Sequence, residues 1–189
     1  MDKTSLRKTL RDARRDHVAA QSEAIRALLF HRPPRPLLEN IPTDAVIGLY
    51  CANEAEAPAQ GYAKFFHEAG HTIALPHFAA RDAPMAFSEH TDPFDESDLE
   101  EGPFRIKQPS DENAKLIPDL LFVPLVGFTA SGERLGQGMG HYDRWLTEHP
   151  PRLAIGLAWD VQLRQSLPLE PHDVPLDAVV TPTRIYGLV

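Results

Sequence analysis

Residues 119–146 of the chain have the sequence DLLFVPLVGFTASGERLGQGMGHYDRWL, and this stretch sets the expected fold. The apolar run at 120–126 predicts a buried strand, because short continuous apolar segments bounded by turn residues are typical of parallel sheets. The residues from Tyr142 to Leu146 predict the first turns of a helix. Between strand and helix lie Arg134 and five glycines, Gly127, Gly132, Gly136, Gly138 and Gly140. The stretch therefore predicts a strand, a glycine-rich loop and a helix.

Such a loop favours the binding of an anion. Glycine adopts positive φ at no steric cost, so several backbone N–H groups can point toward one ligand. The helix that follows adds the positive end of its dipole. Asp143 lies in the first turn of that helix, where a carboxylate is suited to hold a divalent cation beside the anion. The sequence thus indicates a site for phosphate and magnesium, with a merely flexible loop as the alternative.

Two familiar phosphate-binding motifs do not fit the loop. A Walker-type loop needs Lys and then Ser or Thr after the second glycine, but Glu133 and Arg134 follow Gly132. A dinucleotide-binding fingerprint needs a third glycine three residues after Gly138, and that position is His141. The loop is therefore of a different type.

The run GFTASGERLGQGMGHYDRWL at 127–146 resembles the signature of the 5-formyltetrahydrofolate cyclo-ligase family. That signature is Arg-Leu-Gly-x-Gly-x-Gly-Tyr-Tyr-Asp, which follows a strand ending in Pro and Gly. The positions that match it are Arg134, Leu135, Gly136, Gly138, Gly140, Tyr142 and Asp143. Gln137 stands where many members carry Arg or Tyr, Met139 replaces Lys or Gly, and His141 replaces the first Tyr.

Composition and length favour one soluble domain covering residues 1–189. The chain is 42% hydrophobic and 24% charged, which is typical of globular proteins. Cys51 is its one cysteine, so no internal disulfide is possible, and the net charge of −8 disfavours binding to nucleic acid or anionic membranes. No apolar run approaches the ~20 residues of a membrane span, and MDKTSLRK lacks a signal-peptide core. We expect a monomeric cytoplasmic protein without membrane or nucleic-acid partners.

Positive charge is concentrated at the start of the chain, in a segment that predicts one long helix because Pro33 is its first proline or glycine. Lys3, Arg7, Arg11 and Arg14 share one face of that helix. A solvated basic face is one interpretation. The resemblance implies another, in which the Lys-x-x-Leu-Arg element formed by Lys3, Leu6 and Arg7 contacts nucleotide phosphates. It implies an ATP site made of Lys3, Thr4, Ser5, Leu6, Arg7, Arg134, Leu135, Gly136, Gln137, Gly138, Met139, Gly140, His141 and Tyr142. The residues expected to act in catalysis are Arg134, Lys3 and Arg7.

Strands that alternate with helices predict an α/β fold, namely a three-layer open, mostly parallel sheet with flanking helices and a long N-terminal helix. The expected strands are at 44–50, 71–76, 120–126, 152–159 and 177–181, with a helix at 60–69. Ligands of such sheets bind beyond the carboxyl ends of the strands. The loops after Tyr50 and Val126 should both lie on that edge.

The resemblance also implies residues for the second substrate and for the metal. Glu56 aligns with a folate-binding Glu, although Glu54 is equally plausible by composition. Cys51 and Tyr142 are the other residues expected to contact the substrate. The magnesium ligands implied are Asp143 and Asp177, with Asp173 as a rival for the second. The implied reaction is the ATP-dependent conversion of 5-formyltetrahydrofolate to 5,10-methenyltetrahydrofolate, with release of ADP and phosphate.

Two alternatives belong to other functional classes. His67-Glu68-Ala69-Gly70-His71 fits the H-E-x-x-H pattern of zinc proteases, which requires both histidines on one continuous helix. We expect the helix to stop at Gly70, and this would separate the two imidazoles. The second alternative is a folate- or nucleotide-binding protein without catalysis, which the altered loop positions Gln137, Met139 and His141 suggest.

Overall fold

The computed structural model describes residues 2–187 of the chain. Its α-helices are α1 (Lys3–Ala19), α2 (Glu23–Leu28), α3 (Arg35–Leu38), α4 (Gln60–Glu68) and α5 (His141–Glu148), and a 3-10 helix spans Asp160–Gln162. Its first six strands are β1 (Val46–Gly48), β2 (Thr72–His77), β3 (Ala86–Glu89), β4 (Leu99–Glu101), β5 (Lys107–Pro109) and β6 (Leu120–Pro124). The remaining six are β7 (Gly127–Thr129), β8 (Arg134–Leu135), β9 (Leu153–Leu157), β10 (Leu163–Arg164), β11 (Ala178–Val180) and β12 (Ile185–Tyr186).

The main sheet has seven strands in the order β12-β11-β9-β6-β1-β2-β3. The five inner strands pair in parallel, and only the edge strands β12 and β3 run antiparallel to their neighbours. The central strand β6 is buried at four of its five positions. This matches its continuous apolar sequence, because a strand covered on both faces has no polar side. The predicted mostly parallel α/β sheet is confirmed.

Helices cover both faces of the sheet. On one face Phe122 of β6 packs with Tyr62 and Phe66 of α4, and the Tyr62 and Phe122 ring centroids are 5.5 Å apart. On the other face Val123 lies in a cluster with Trp145 of α5. Phe122 is fully buried, which contributes about 1.5–3 kcal/mol relative to an exposed side chain. Adjacent residues of one strand thus supply two separate cores, as a three-layer arrangement requires.

Helix α1 docks across the end of β6. Leu10, which is fully buried, forms a small apolar cluster with Val126, Leu135 and Leu167. The buried guanidinium of Arg14 donates from Nη1 to the backbone oxygen of Leu125 at 3.1 Å. This docking brings the basic residues of α1 to the loop that follows β8. Within residues 2–187 no helix is both long and apolar enough to cross a membrane.

Two expectations about local structure were wrong. The long N-terminal helix is confirmed as α1, but it does not continue up to Pro33, because Ser22 caps a second helix and accepts a hydrogen bond from the backbone of Ile25 at 3.3 Å. The absence of proline and glycine does not make a helix continuous where a serine offers the chain a new start. The segment at 127–140 is not all loop either, because its first part forms the hairpin β7–β8, in which Phe128 pairs with Arg134.

Candidate active site

A cavity of about 660 Å³ opens at the carboxyl ends of the inner parallel strands. Tyr50, just after β1, Pro76 in β2 and Pro124 in β6 line its floor. This is the edge at which parallel α/β sheets bind ligands. Two groups of residues form its sides and differ in chemistry.

One side, here called the phosphate wall, consists of cations, acids and glycine backbone. Its members are Lys3, Arg7, Arg134, Gly136, Gln137, Gly138, Met139, Gly140, Asp143 and Asp173. Helix α1 clamps the glycine loop from outside the sheet, since Arg7 Nε donates to the Gly136 oxygen at 2.9 Å. Arg11 Nη2 donates to the Gln137 oxygen at 2.7 Å. The carbonyls of Gly136 and Gln137 are therefore occupied by side chains of α1.

The backbone of the glycine loop is suited to an anion. Gly138 has φ 111° and Gly140 has φ 70°, conformations that residues with a Cβ rarely adopt. Gly140 is also the N-cap of α5, so the positive end of that helix meets the loop. Within residues 2–187, the N–H groups of 137–140 donate no hydrogen bond. They are available to phosphate oxygens.

Arg134 lies on β8, and its guanidinium is 5% exposed at the base of the phosphate wall. Its Nη2 donates to Asp143 Oδ1 at 2.6 Å. The same Oδ1 accepts the backbone N–H of Val174 at 3.1 Å. Asp143 Oδ2 has no hydrogen bond to any residue from 2 to 187. One oxygen of this carboxylate is therefore fixed, and the other remains open to a ligand.

Lys3 closes the opposite end of the wall. Its ammonium contacts Asp173 Oδ2 at 2.6 Å and Glu170 Oε2 at 2.7 Å. Burial opposes the charge of Lys3, but the hydrogen bonds that it donates to Asp173 and Glu170 outweigh that effect and raise its pKa. Burial likewise opposes the charge of Asp173, yet the hydrogen bonds from Lys3 and from the Glu170 backbone lower its pKa. Both groups are charged at neutral pH.

The carboxylates that meet at this cavity are Asp143 and Asp173, not Asp143 and Asp177. Asp177 Oδ2 accepts the backbone N–H of Ala154 at 2.7 Å, beside the start of β9. The start of a parallel strand lies at the edge of the sheet away from the cavity. Asp177 and Asp143 are therefore at opposite edges, and the prediction that they share a metal is wrong. Asp143 and Asp173 both line the cavity and fit magnesium, which takes one or two carboxylates together with phosphates and water.

Two predicted ATP contacts are not brought to the cavity either. Ser5 lies in the first turn of α1, where its backbone N–H donates to Oδ1 of the N-cap Asp2 at 2.8 Å, and Leu6 packs against the cluster around Leu10. Helical periodicity explains this, since Lys3 and Arg7 are one turn apart and share a face that Ser5 and Leu6 do not. The other predicted ATP residues all line the cavity, namely Lys3, Thr4, Arg7, Arg134, Leu135, Gly136, Gln137, Gly138, Met139, Gly140, His141 and Tyr142.

The other side of the cavity, here called the aromatic wall, consists of Pro76, Phe78, Met85, Phe104 and His141. The ring centroid of Phe78 is 4.9 Å from those of both Phe104 and His141. Burial and the nearby Arg144 lower the pKa of His141, so its imidazole is neutral at pH 7. An apolar, aromatic surface of this kind suits a planar heterocycle.

Sequence analysis did not predict the aromatic wall, apart from His141. Phe78 follows β2, Met85 precedes β3 and Phe104 lies in the turn between β4 and β5, and no motif connects these segments. The buried side chain of Gln108 holds the β4–β5 ribbon in place, accepting from the Phe78 N–H at 3.1 Å and donating to the Phe78 oxygen at 3.2 Å. Gln108 thereby pairs with Phe78 as a neighbouring strand would.

Glu56, Cys51 and Tyr142 lie between the two walls. Glu56 Oε2 accepts the backbone N–H of Asn53 at 3.0 Å, which fixes the carboxylate beside the cavity. Glu54 lines only a second, adjoining cavity of about 680 Å³, which Glu56 and Cys51 also line. The geometry therefore favours Glu56 over Glu54. Burial raises the pKa of the Cys51 thiol to about 12, so it is protonated and a poor nucleophile.

The zinc-protease interpretation is wrong. Helix α4 ends at Glu68 and Gly70 has φ 90°, so His67 and His71 do not lie on one helix. His71 instead places Nδ1 3.2 Å from the backbone oxygen of Ala45. Among residues 2–187, Glu170, His172 and Asp173 form the one group of three or more His, Cys, Asp or Glu side chains whose ligand atoms lie close together.

Comparison with known proteins agrees with the geometry of the cavity. The model of the 5-formyltetrahydrofolate cyclo-ligase family matches residues 1–182. The chain belongs to this family. Among cyclo-ligases, the 5-formyltetrahydrofolate cyclo-ligase of Escherichia coli K12 is 39% identical over 97 residues, which is 48% of this chain and 53% of that protein. The enzyme of the same name from Mycolicibacterium smegmatis is 43% identical over 68 residues, 35% of this chain and 34% of that protein.

The matched segment spans about half the length of the Escherichia coli cyclo-ligase, 53%. Similarity of structure extends further. The solution structure of Aquifex aeolicus 5,10-methenyltetrahydrofolate synthetase matches with a TM-score of 0.75 and 26% identity, covering 100% of this chain and 93% of that one. A Mycoplasma pneumoniae 5,10-methenyltetrahydrofolate synthetase has the same fold, with a TM-score of 0.65 at 23% identity over 95% of this chain and 98% of that one.

Proposed function

We propose that this cyclo-ligase family member converts 5-formyltetrahydrofolate and ATP to 5,10-methenyltetrahydrofolate, ADP and phosphate. The observation that supports this most directly is the convergence on one cavity of the phosphate wall and Glu56. A site for a triphosphate and a carboxylate for a pterin ring then lie within reach of each other. The names of the related proteins agree with this reaction.

The reaction takes place in two steps. The formyl oxygen attacks the γ-phosphorus of ATP, so a new O–P bond forms as the bond to the β-phosphate oxygen breaks and ADP leaves. The neighbouring folate nitrogen then attacks the activated carbon. Its N–C bond forms, the nitrogen loses its proton, and the C–O bond breaks to release phosphate. Phosphorylation is needed because the oxygen of a formyl group is otherwise a poor leaving group.

The protein contributes position and charge rather than a nucleophile. Lys3, Arg7 and Arg134 neutralise the transferring phosphoryl group, and the N–H groups of 137–140 donate hydrogen bonds to its oxygens. Asp143 and Asp173 are the residues that would hold magnesium. The ion supplies further neutralisation of the phosphate oxygens when it is bound. The protonated thiol of Cys51 is consistent with a reaction that forms no covalent enzyme intermediate.

Glu56 orients the folate. A carboxylate accepts hydrogen bonds at both oxygens, and a pterin ring presents adjacent N–H and amino donors that match this pair. Cys51 supplies small apolar contact surface beside it, and Tyr142 borders the same space. In this proposal the ring binds between the phosphate wall and the adjoining cavity.

Ultraviolet absorbance of the methenyl product tests the proposal directly. Purified protein with 5-formyltetrahydrofolate and Mg-ATP should accumulate the chromophore and release ADP in equal amount, and neither should form without ATP. A chelator should stop the reaction and added magnesium should restore it. Binding of both substrates with no product would contradict the proposal and establish the non-catalytic binding protein instead.

A further inference from the structure

Gln137 joins the glycine loop to the elements on either side of it. Its Oε1 accepts from Arg11 Nε at 3.2 Å and from Arg11 Nη2 at 3.0 Å. Its Nε2 donates to Glu56 Oε1 at 2.7 Å. The amide orientation is unambiguous, because a guanidinium only donates and a carboxylate only accepts. The two ends of the Gln137 side chain therefore link Arg11 of α1 to Glu56 through the glycine loop.

The two partners of Gln137 have different positions relative to the ligand space. Glu56 lines the cavity, whereas Arg11 does not. Arg11 therefore acts on the loop rather than on a ligand, and its second bond, to the Gln137 backbone oxygen at 2.7 Å, holds the same residue again. Gln137 thus ties the phosphate-binding loop to the folate-binding carboxylate.

The bridge leaves Glu56 able to bind a pterin. Oε1 accepts from Gln137 and Oε2 accepts from the Asn53 backbone at 3.0 Å, so each oxygen carries one hydrogen bond. A carboxylate has about four acceptor positions. Two remain for the adjacent donors of the ring, and the two bonds already made fix the plane in which those donors must approach.

We propose that Gln137 is a positioning residue that couples the binding of the two substrates, by linking the loop that holds the nucleotide phosphates to Glu56. This inference rests on the proposed function. Phosphate on the loop N–H groups orders residues 136–140, the ordered loop fixes the Gln137 amide, and the amide fixes Glu56 for the folate. Because such coupling is reciprocal, folate must tighten nucleotide binding by the same factor.

The decisive measurement is the folate dissociation constant, with and without a non-hydrolysable ATP analogue and magnesium, for the unaltered protein and for Gln137→Met. The analogue should tighten folate binding by about five- to tenfold in the unaltered protein, within the usual range of coupling between sites. In Gln137→Met, which keeps the chain length without the hydrogen bonds, the ratio should fall close to one. A merely structural role would change affinities or stability without abolishing this ratio.

Arg11 provides a second test and a matched control. Arg11→Gln removes the anchor of the amide and should reduce the ratio as Gln137→Met does. Arg15→Gln alters the same residue type on the same helix and should leave the ratio unchanged, because among residues 2–187 the Arg15 side chain forms an ion pair only with Asp12. The exchange Arg11→Gln with Gln137→Arg places a donor opposite Glu56 again and should restore part of the coupling. Gln137 is exposed, so its variants should fold.

The outcomes separate this inference from the proposed function. Catalytic protein whose ratio is unchanged in both Gln137→Met and Arg11→Gln overturns the coupling role alone. So does catalytic protein in which the analogue never affects folate binding. Protein that binds neither the folate nor the analogue overturns both, whereas a ratio lost only in the bridge variants supports the coupling.

Discussion

The phosphate wall and the aromatic wall face each other across one cavity but are stabilised in different ways. The phosphate wall is held by charged hydrogen bonds, such as Arg134 to Asp143 at 2.6 Å and Lys3 to Asp173 at 2.6 Å. The aromatic wall is held by ring contacts, such as Phe78 to Phe104 with centroids 4.9 Å apart. The phosphate wall therefore carries charges that a ligand can displace or share, whereas the aromatic wall offers an apolar surface.

In the proposed reaction, the two walls therefore have different tasks. Charge is needed where the phosphoryl group moves, because stabilisation there grows as the transition state forms. An apolar surface contributes equally to ground state and transition state, so it affects binding rather than rate. Substitutions in the phosphate wall should therefore lower kcat, and substitutions in the aromatic wall should raise KM.

The largest effect is expected for Arg134→Ala. It removes a buried cation from the phosphoryl site and leaves Asp143 without its ion-pair partner. Loss of one such contact should lower kcat by about 10²-fold, or about 2.7 kcal/mol, with the folate KM little changed. Steady-state rates of methenyl formation at saturating ATP measure this.

The control for Arg134→Ala is Arg35→Ala. The Arg35 side chain is 89% exposed and, within the described part of the chain, forms an ion pair only with Glu39, so its loss should not affect the rate. If Arg134→Ala kept the full rate with unchanged ATP dependence, Arg134 would have no catalytic role.

A smaller effect should separate the two candidate metal carboxylates. Asp173→Asn removes a formal charge from the cavity and should raise the magnesium concentration for half-maximal rate by about tenfold, or ~1.4 kcal/mol. Asp177→Asn alters a residue whose carboxylate contacts the Ala154 backbone, and should leave the magnesium requirement unchanged. Magnesium titrations of both variants decide between them, and the reverse order of effects would return Asp177 to the site.

The aromatic wall should respond more weakly still, and in KM. Phe104→Leu removes ring contacts with Phe78 and with His141, which contribute about 0.5–1.5 kcal/mol. The KM of one of the two substrates should therefore rise roughly two- to tenfold while kcat stays constant. Phe94→Leu is the matched control, because Phe94 is 46% exposed and lies outside the cavity. A fall in kcat without a change in either KM would remove the distinction between the walls.

The phosphate wall could largely be predicted from sequence because most of it is local. The glycine loop with Arg134 and Asp143 is one contiguous motif, and helical periodicity alone places Lys3 and Arg7 on one face. Where the prediction depended on register between distant segments it was wrong. Asp173 and Asp177 are four residues apart near β11, and only the hydrogen bond from Ala154 to Asp177 shows which carboxylate is turned away from the cavity.

The aromatic wall could not be predicted for the same reason. Phe78, Met85 and Phe104 look like ordinary core residues in the sequence, and their meeting depends on the pairing of β4 with β5 and on the Gln108 contact with Phe78. The sheet itself was predictable, because continuous apolar runs mark buried parallel strands. Side chains that converge from separate strands carry no such periodic signal.

The smallest effect concerns the stability of the phosphate wall and its dependence on pH. Lys3→Gln removes the ion pair with Asp173, whose side chains are 15% and 16% exposed. Partial exposure screens the pair, so its loss should lower the free energy of unfolding by about 1 kcal/mol or less.

The pH window for Lys3→Gln follows from the two pKa shifts. The pKa of Lys3 is raised on folding, so its contribution is complete below about pH 10.4 and is lost as pH rises through the folded value. The pKa of Asp173 is lowered, so its contribution is complete above about pH 3.9 and is lost as pH falls through the folded value. The free energies of unfolding of the protein and of Lys3→Gln, measured in urea, should therefore differ by a constant amount from about pH 5 to pH 9, and should converge as pH falls through the folded pKa of Asp173. A difference that varied between pH 5 and pH 9 would mean that a group other than this pair, one titrating near neutrality, holds the wall together.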